Sequence, residues 1–187
     1  MDIYAKFETF ENARYLLREV KEDDCSALAA VYGDKNALPF FNSDNCDGDN
    51  FYYPTEKRMA EAMAFWHMAY DNKWFARWAI ADKRTGAVIG TVELCKRASD
   101  DVFDAASILR IDVKSECEKA DVLCDVLDII VRPALDMFGS ARVITKAPIY
   151  AVERIAALDK FGFKRSEHLL IGKTGYAYDG YWTFDKE

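Results

Sequence analysis

The sequence predicts an α+β (mixed α/β) domain, in which a mostly antiparallel sheet of about seven strands carries helices on both faces. Three observations predict this class. Extended runs at 78–82 and 88–95 flank a short polar turn, as in a β-hairpin. A strand-helix-strand pattern follows between about 108 and 147, as in a crossover connection. A helix at 151–161 then closes on Gly162 and leads directly into another strand.

The first half of the chain predicts one strand and two helices. Tyr15–Val20 is a plausible strand, and acidic residues after it suit the positive end of a helix at Cys25–Tyr32. Thr55 is a favourable N-cap for a helix at Glu56–Asp71, where apolar residues recur at helical spacing. Between them, Gly33–Pro54 is a long irregular segment whose acidic residues suggest a calcium loop. The glutamate that ends such a loop is missing, so we expect no metal there.

The second half supplies the crossover and the last strands. The apolar run Val122–Val131 is too long for a typical strand and predicts a helix, which Pro133 should kink or break. Strands are expected at Arg142–Ala147, Phe163–Ile171 and Tyr176–Phe184. The predicted order is therefore β-α-α-β-β-β-α-β-α-β-β.

The composition is typical of a globular protein that fills one core. Of 187 residues, 51% are hydrophobic, and 12 Phe, 10 Tyr and 4 Trp supply large apolar areas. We therefore expect one domain over residues 1–187, with its core at about 15–184. The five cysteines have no CxxC spacing and are expected to be reduced thiols. Only two histidines are present, far apart, so no metal site is expected.

Charge and hydropathy exclude several classes of partner. The net charge is −7 and no Lys/Arg run stands out, so nucleic acid is not expected as a partner. No stretch approaches the roughly 18–20 apolar residues of a membrane span, and the N-terminal residues do not resemble a signal peptide. The sequence therefore predicts a cytoplasmic protein without a membrane partner and leaves a homodimer open. The acidic balance weakly favours a cationic or basic ligand.

Two segments of the second half resemble a known family. One is Leu158-Asp159-Lys160-Phe161-Gly162-Phe163, and the other is the extended run Ala105–Val113 followed by a polar loop and an apolar helix from about Ala120. Together they resemble the acyl-coenzyme A half of GNAT-superfamily N-acetyltransferases, and the element order agrees over residues 15–184. The "LREV" opening and the long second-helix region resemble the Rim-type ribosomal-protein N-terminal acetyltransferases. The resemblance implies acetyl-CoA as co-substrate and a primary amine acceptor, either a peptide N-terminus or a small molecule.

The resemblance also implies where coenzyme A would lie. In the family, the fourth strand lends main-chain groups to the pantetheine arm, and a Q/R-x-x-G-x-G/A loop wraps the pyrophosphate at the next helix N-terminus. The corresponding cofactor-binding residues here are Ile111, Val113, Lys114, Glu118, Lys119 and Ala120. The loop itself reads Ser115-Glu116-Cys117-Glu118-Lys119-Ala120, in which Ala120 alone fits the pattern and Glu118 stands at the middle glycine.

The residues of this loop support two interpretations. Ser115 and Glu118 have the spacing of a capping box, in which each side chain bonds the backbone N–H of the other residue. Donors that would bind a phosphate would then be occupied, and Glu116 and Glu118 would place negative charge beside it. Lys114 and Lys119 would partly offset that charge. A self-capped helix start and a cofactor loop both remain open.

The next helix also departs from the family pattern. The position of the coenzyme-contacting asparagine is Ala151, the small-residue position is Arg154, and the position often held by a catalytic tyrosine is Leu158. Leu158 cannot donate a proton to a departing thiolate.

Four residues are candidates for the chemistry of amine acetylation. Glu93, on the hairpin strand, is the first candidate for a general base and Asp112 is the second. The structural alternative for both is an exposed strand carboxylate. Tyr178 is a candidate proton donor, as is the neighbouring Tyr181, and the alternative for both is packing on a terminal strand.

The leading hypothesis from the sequence is an N-acetyltransferase that moves an acetyl group from acetyl-CoA to a primary amine. The alternative is a catalytically inactive GNAT-fold binding or assembly module that has lost coenzyme A binding. A third hypothesis, an acyltransferase with a larger or different acyl donor, would also tolerate a rebuilt loop.

Overall fold

A computed structural model describes residues 3–186 of the protein. Four α-helices are numbered α1 to α4 in chain order: Cys25–Tyr32, Glu56–Asp71, Ala120–Phe138 and Val152–Phe161. The strands are numbered β1 to β10: Phe10–Glu11, Tyr15–Glu19, Ala76–Asp82, Val88–Lys96, Ser107–Val113, Arg142–Lys146, Lys164–Arg165, Leu170–Ile171, Ala177–Tyr178 and Tyr181–Asp185. Short 3₁₀ helices lie at Glu22–Asp24, Leu38–Phe40 and Ser115–Cys117.

Eight of the strands form one sheet in the order β1-β2-β3-β4-β5-β6-β10-β7, and β8 pairs with β9 in a separate ribbon. All neighbouring pairs of the large sheet are antiparallel except β5 and β6, which α3 connects as a crossover. This architecture confirms the predicted mixed, mostly antiparallel sheet.

Helices pack on both faces of the sheet, so its central strands are buried on both sides. On one face, apolar residues of α3 and α4 form a core with β2 to β6. On the other face, α1 and α2 form a second core that includes Val20, Ala79 and Val88. Burial on both faces explains the nearly continuous buried pattern of β3, β4 and β5.

Two boundary predictions need correction, since Pro133 does not break α3 and the last strands are shorter than expected. Helix α3 continues through Pro133 to Phe138, because the apolar stripe beyond the proline, including Ala134, Leu135 and Met137, stays packed in the core. The packing outweighs the hydrogen bond that Pro133 cannot donate. The long strands predicted near the C-terminus are four short ones, since loops leave the sheet between them. In residues 3–186, no helix has the length and apolar character needed to cross a membrane.

Gly90 is required where β4 meets β5. A Cβ at this position would lie 2.1 Å from the carbonyl oxygen of Asp112 and 2.8 Å from Cα of Val113, both backbone atoms. Gly90→Ala is therefore expected to lower the free energy of unfolding by about 1–3 kcal/mol or more, because the two strands must move apart. Urea denaturation of this variant beside Arg84→Ala, in the exposed hairpin turn, measures the effect. Equal stability of the two variants would contradict this close strand approach.

Candidate functional site

The parallel strands β5 and β6 separate soon after they begin. They are paired at Ser107 with Val143 and at Ile108 with Ile144, while β5 remains paired with β4 as far as Val113. The second half of β5 therefore faces a gap in the sheet, on the side where the resemblance implies the pantetheine arm.

Arg154 of α4 fills this position. Its Nη2 donates to the carbonyl oxygen of Ile111 at 2.9 Å, using a main-chain acceptor of the gap. The same guanidinium holds Glu118 in a bidentate ion pair, with Nε–Oε1 and Nη2–Oε2 distances of 2.7 Å. Both side chains are 5% exposed. Burial alone would lower the pKa of Arg154, but the Glu118 carboxylate raises it above its ordinary value, so the arginine stays charged.

Two further carboxylates bind backbone donors, one in the 3₁₀ turn before α3 and one at the first residue of α3. Asp34 Oδ2 accepts the N–H of Ser115 at 3.0 Å, and Glu153 Oε2 accepts the N–H of Ala120 at 2.8 Å. Burial favours protonation of Asp34, but its hydrogen bonds, those from Ser115 first, keep the pKa below the ordinary value. These two N–H groups are therefore already paired with anionic side chains.

The predicted capping box does not form. The N–H of Glu118 bonds the carbonyl oxygen of Ser115 at 3.2 Å within the 3₁₀ turn. The Glu118 side chain turns away to Arg154, because a buried carboxylate is stabilised more by a guanidinium than by a backbone N–H. Helix α3 begins later, with Lys119 as its N-cap residue.

Coenzyme A does not fit these residues. The predicted cofactor residues Ile111, Val113 and Glu118 are buried, the first behind Arg154. Lys114 is half-buried, Lys119 is exposed, and Ala120 is half-buried with its N–H on Glu153. A pyrophosphate would have to displace the carboxylates of Asp34 and Glu153 from the backbone N–H groups that should bind it. Those carboxylates, like the pyrophosphate, are negatively charged and would repel it.

Glu93, the first candidate base, is not the exposed carboxylate of the structural alternative. It is 2% exposed, and its two oxygens accept separately from Arg77 Nη2 and Arg110 Nη1. Burial favours its protonated form, but Arg77 and then Arg110 hold the pKa below the ordinary value. A carboxylate whose oxygens are both held by guanidiniums is a weak base.

Asp112, the second candidate base, lies on the same face of the sheet. It is 1% exposed, accepts from the Tyr32 hydroxyl at 2.9 Å, and lies 3.3 Å from Arg77 Nη1. Burial raises its pKa, an effect that Arg77 opposes only in part. The structure thus brings Glu93 and Asp112 together through Arg77, in a buried polar network under α1.

The tyrosine candidates lie elsewhere. Tyr178 is half-buried on β9, outside the large sheet, and its ring centroid lies 5.7 Å from Lys146 Nζ. Tyr181 is 1% exposed, and its hydroxyl donates to Asp44 Oδ2 at 3.1 Å. Burial raises the pKa of Tyr181, so its proton is firmly held.

Sequence reasoning missed the basic partners of these carboxylates. Arg77 and Arg110 stand inside apolar strands, where a charge must be paired if the strand is buried on both faces. That pattern is visible in the sequence and could have indicated the network. The partner of Glu118 could not be found in this way, because Arg154 lies on another element, 36 positions away.

An aromatic cleft opens beside the Glu93 network. Its volume is about 1310 Å³, and it lies among α2, the 45–53 segment, the ends of β4 and β5, and residues 171–173. Six aromatic side chains line it, namely Phe51, Tyr53, Phe65, Trp66, Trp74 and Phe75. Across residues 3–186, no group of three or more His, Cys, Asp or Glu side chains could hold a metal ion.

No protein-family model matches the sequence, and no curated protein matches it. Solved structures do match. A GNAT-family acetyltransferase from Bacillus anthracis has a TM-score of 0.69 at 10% identity, over 95% of this chain and 98% of that one. The ribosomal-protein-S5-alanine acetyltransferase from Vibrio fischeri has a TM-score of 0.70 at 14% identity, over 96% and 97%. Mycobacterium smegmatis RimJ, solved in complex with CoA-disulfide, has a TM-score of 0.69 at 13% identity, over 95% and 86%.

At these identities the likeness concerns the fold. It confirms the predicted one: the chain has the fold of the GNAT acetyltransferases, and Rim-type ribosomal-protein acetyltransferases are among the structures that share it.

Proposed function

We propose that this protein is a GNAT-fold binding module that does not use coenzyme A. The observation that carries the proposal is the Glu118–Arg154 ion pair, which lies where the cofactor of this fold would pass between β5 and β6. Asp34 and Glu153 support it, because they occupy backbone donors of the 3₁₀ turn before α3 and of the first residue of α3. The aromatic cleft is then the candidate ligand site.

The energetics favour a closed site. Removing one partner from a buried ion pair costs about 3–5 kcal/mol, because the remaining charge is left uncompensated in low-dielectric surroundings, and drawing Arg154 away from a buried Glu118 would incur the same kind of cost. Coenzyme A would have to offset this cost before gaining affinity. It would also meet the carboxylates of Asp34 and Glu153 near its own negative charge.

A second candidate is an N-acetyltransferase that moves an acetyl group from acetyl-CoA to a primary amine. The separation of β5 and β6 and the shared fold favour it. It requires Arg154 to leave the gap, and it would need a base other than Glu93, whose oxygens are both held by guanidiniums.

Titration with acetyl-CoA distinguishes the two candidates. A ligand at about 100 times its dissociation constant stabilises a protein by about 2.7 kcal/mol. We expect no heat of binding in calorimetry and no increase in melting temperature at millimolar acetyl-CoA. Saturable binding in the micromolar range would overturn the proposal and favour the transferase.

Two variants show whether the ion pair is what excludes the cofactor. Glu118→Gly with Arg154→Ala removes both side chains and leaves the gap open, so a gain of acetyl-CoA binding is expected in this double variant. Glu118→Gly alone leaves the cationic Arg154 in the gap, where it still occupies the Ile111 carbonyl oxygen. Binding by the single variant as tight as by the double variant would show that charge repulsion, rather than obstruction, closes the site.

A further inference from the structure

The floor of the aromatic cleft is built from charged side chains. Arg77, Glu93 and Arg110 all line it, and all three are at least nine-tenths buried. Glu93 lies between the two guanidiniums, one bonded to each of its oxygens. The floor therefore contains two cations and one anion.

Among the charged residues that line this floor, the unpaired atoms are donors, and the one unpaired acceptor of the network in the described chain, Asp112 Oδ1, belongs to a residue that does not line the cleft. Nε of Arg77 and Nε of Arg110 are buried without a hydrogen-bond partner within residues 3–186, whereas both oxygens of Glu93 are engaged. A buried donor without an acceptor costs about 1–3 kcal/mol. A ligand acceptor that reaches either Nε would relieve that cost, and a further donor would not.

The rim does not reverse this preference. Four acidic and four basic side chains line it, namely Asp47, Asp49, Asp100, Asp101, Arg58, Lys96, Arg97 and Lys173. Asp49 is paired with Arg58, and Asp101 with Arg97. Asp112 also contacts Arg77, at 3.3 Å, but does not line the cleft, so the lining of the floor keeps two guanidiniums against one carboxylate.

The walls offer flat apolar surface. Phe65 is 46% exposed and Trp74 is 54% exposed, an unusual exposure for large aromatic rings, and their ring centroids lie 6.3 Å apart. Deeper in the cleft, the Arg77 guanidinium lies 4.3 Å from the Trp66 ring centroid, a cation–π contact that fixes the orientation of its plane. Aromatic walls above a donor-rich floor match a ligand with an apolar ring and one acidic end.

We propose that the cleft binds an aromatic organic acid, with its ring against Phe65 and Trp74 and its carboxylate directed to Arg77 and Arg110. This inference rests on the proposed function, because it takes the cleft as the ligand site of a binding module. It also departs from the cationic ligand that the net charge favours, since the local arrangement of donors outweighs the distant surface charge.

Calorimetric titration of the wild-type chain with indole-3-propionate and with tryptamine tests the proposal. The two probes share an indole ring and differ in the charge of the side-chain end. We expect the acid to bind at least about tenfold more tightly than the amine, a difference of about 1.4 kcal/mol. Equal binding of the two probes, tighter binding of the amine, or no binding of the acid would overturn the inference.

Variants assign the binding to the cleft. Trp74 is exposed and is not needed by the core, so Trp74→Ala should lower the affinity for the acid about tenfold without unfolding the protein. Glu93→Gln should increase the affinity for the acid, because it removes the anion of the floor, and Arg110→Met should decrease it. Circular dichroism must show that both variants are folded. Unchanged affinity in Trp74→Ala would place the acid elsewhere and overturn the inference.

The acetyl-CoA titration is independent of this experiment. Binding of both the acid and acetyl-CoA would overturn the proposed function and leave the inferred ligand class standing.

Discussion

Replacing Arg154 with alanine is expected to lower the free energy of unfolding by about 3–5 kcal/mol. The substitution leaves the Glu118 carboxylate buried, at 5% side-chain exposure, with its guanidinium partner gone. It also removes the donor to the Ile111 carbonyl. Urea denaturation, followed by circular dichroism, measures the change in midpoint and slope.

Two further variants separate charge from packing in this experiment. Lys160→Ala, on the exposed face of the same helix, should change stability by less than about 0.5 kcal/mol. The double variant Glu118→Leu with Arg154→Leu removes both charges and fills part of the space. Its free energy of unfolding should therefore be closer to that of wild type than that of Arg154→Ala is. If Arg154→Ala were as stable as Lys160→Ala, the pair would not be buried in solution.

Glu93→Ala is expected to destabilise the protein by a similar amount, about 3–5 kcal/mol, because it leaves two buried guanidiniums facing each other without an anion. Glu19→Ala, at an exposed strand position, is the matched control and should cost little. A loss in Glu93→Ala as small as in the control would contradict the buried network.

The pH dependence gives a second measurement on the same residue. The pKa of Glu93 is lowered in the folded state, so its contribution is present above its ordinary value of 4.5 and is lost as pH falls through the lowered one. Asp112 acts in the opposite sense, since its raised pKa favours the folded state as protons are added. Glu93→Gln should therefore lose less stability than wild type between neutral and acidic pH, and an identical acid profile would contradict this role.

Local patterns predicted the elements of this fold well. Thr55 caps α2 as expected, accepting the N–H of Arg58, and Gly162 ends α4 in a left-handed conformation. Both signals depend on a few neighbouring residues, so they can be recognised in one sequence. Pro133 shows where this reasoning fails, because the core that overrides it consists of residues distant in the chain.

The candidate site was harder to predict, because its charges are paired across elements. The loop 115–120 was correctly seen to depart from the family pattern, yet the capping box was wrong because Arg154 competes for Glu118. Glu93 and Asp112 were selected by residue type, and their burial beside Arg77 became visible only when three strands were aligned in register. The aromatic cleft has no local signature, since its walls come from separated segments.

The Glu118–Arg154 pair also constrains how descendants of this protein can change. Losing either member alone leaves an unpaired charge in the interior, so a change at position 118 or 154 alone is expected to cost more stability than a joint change to apolar residues. Two codons would have to change almost together. Such a barrier makes the present arrangement persistent across generations.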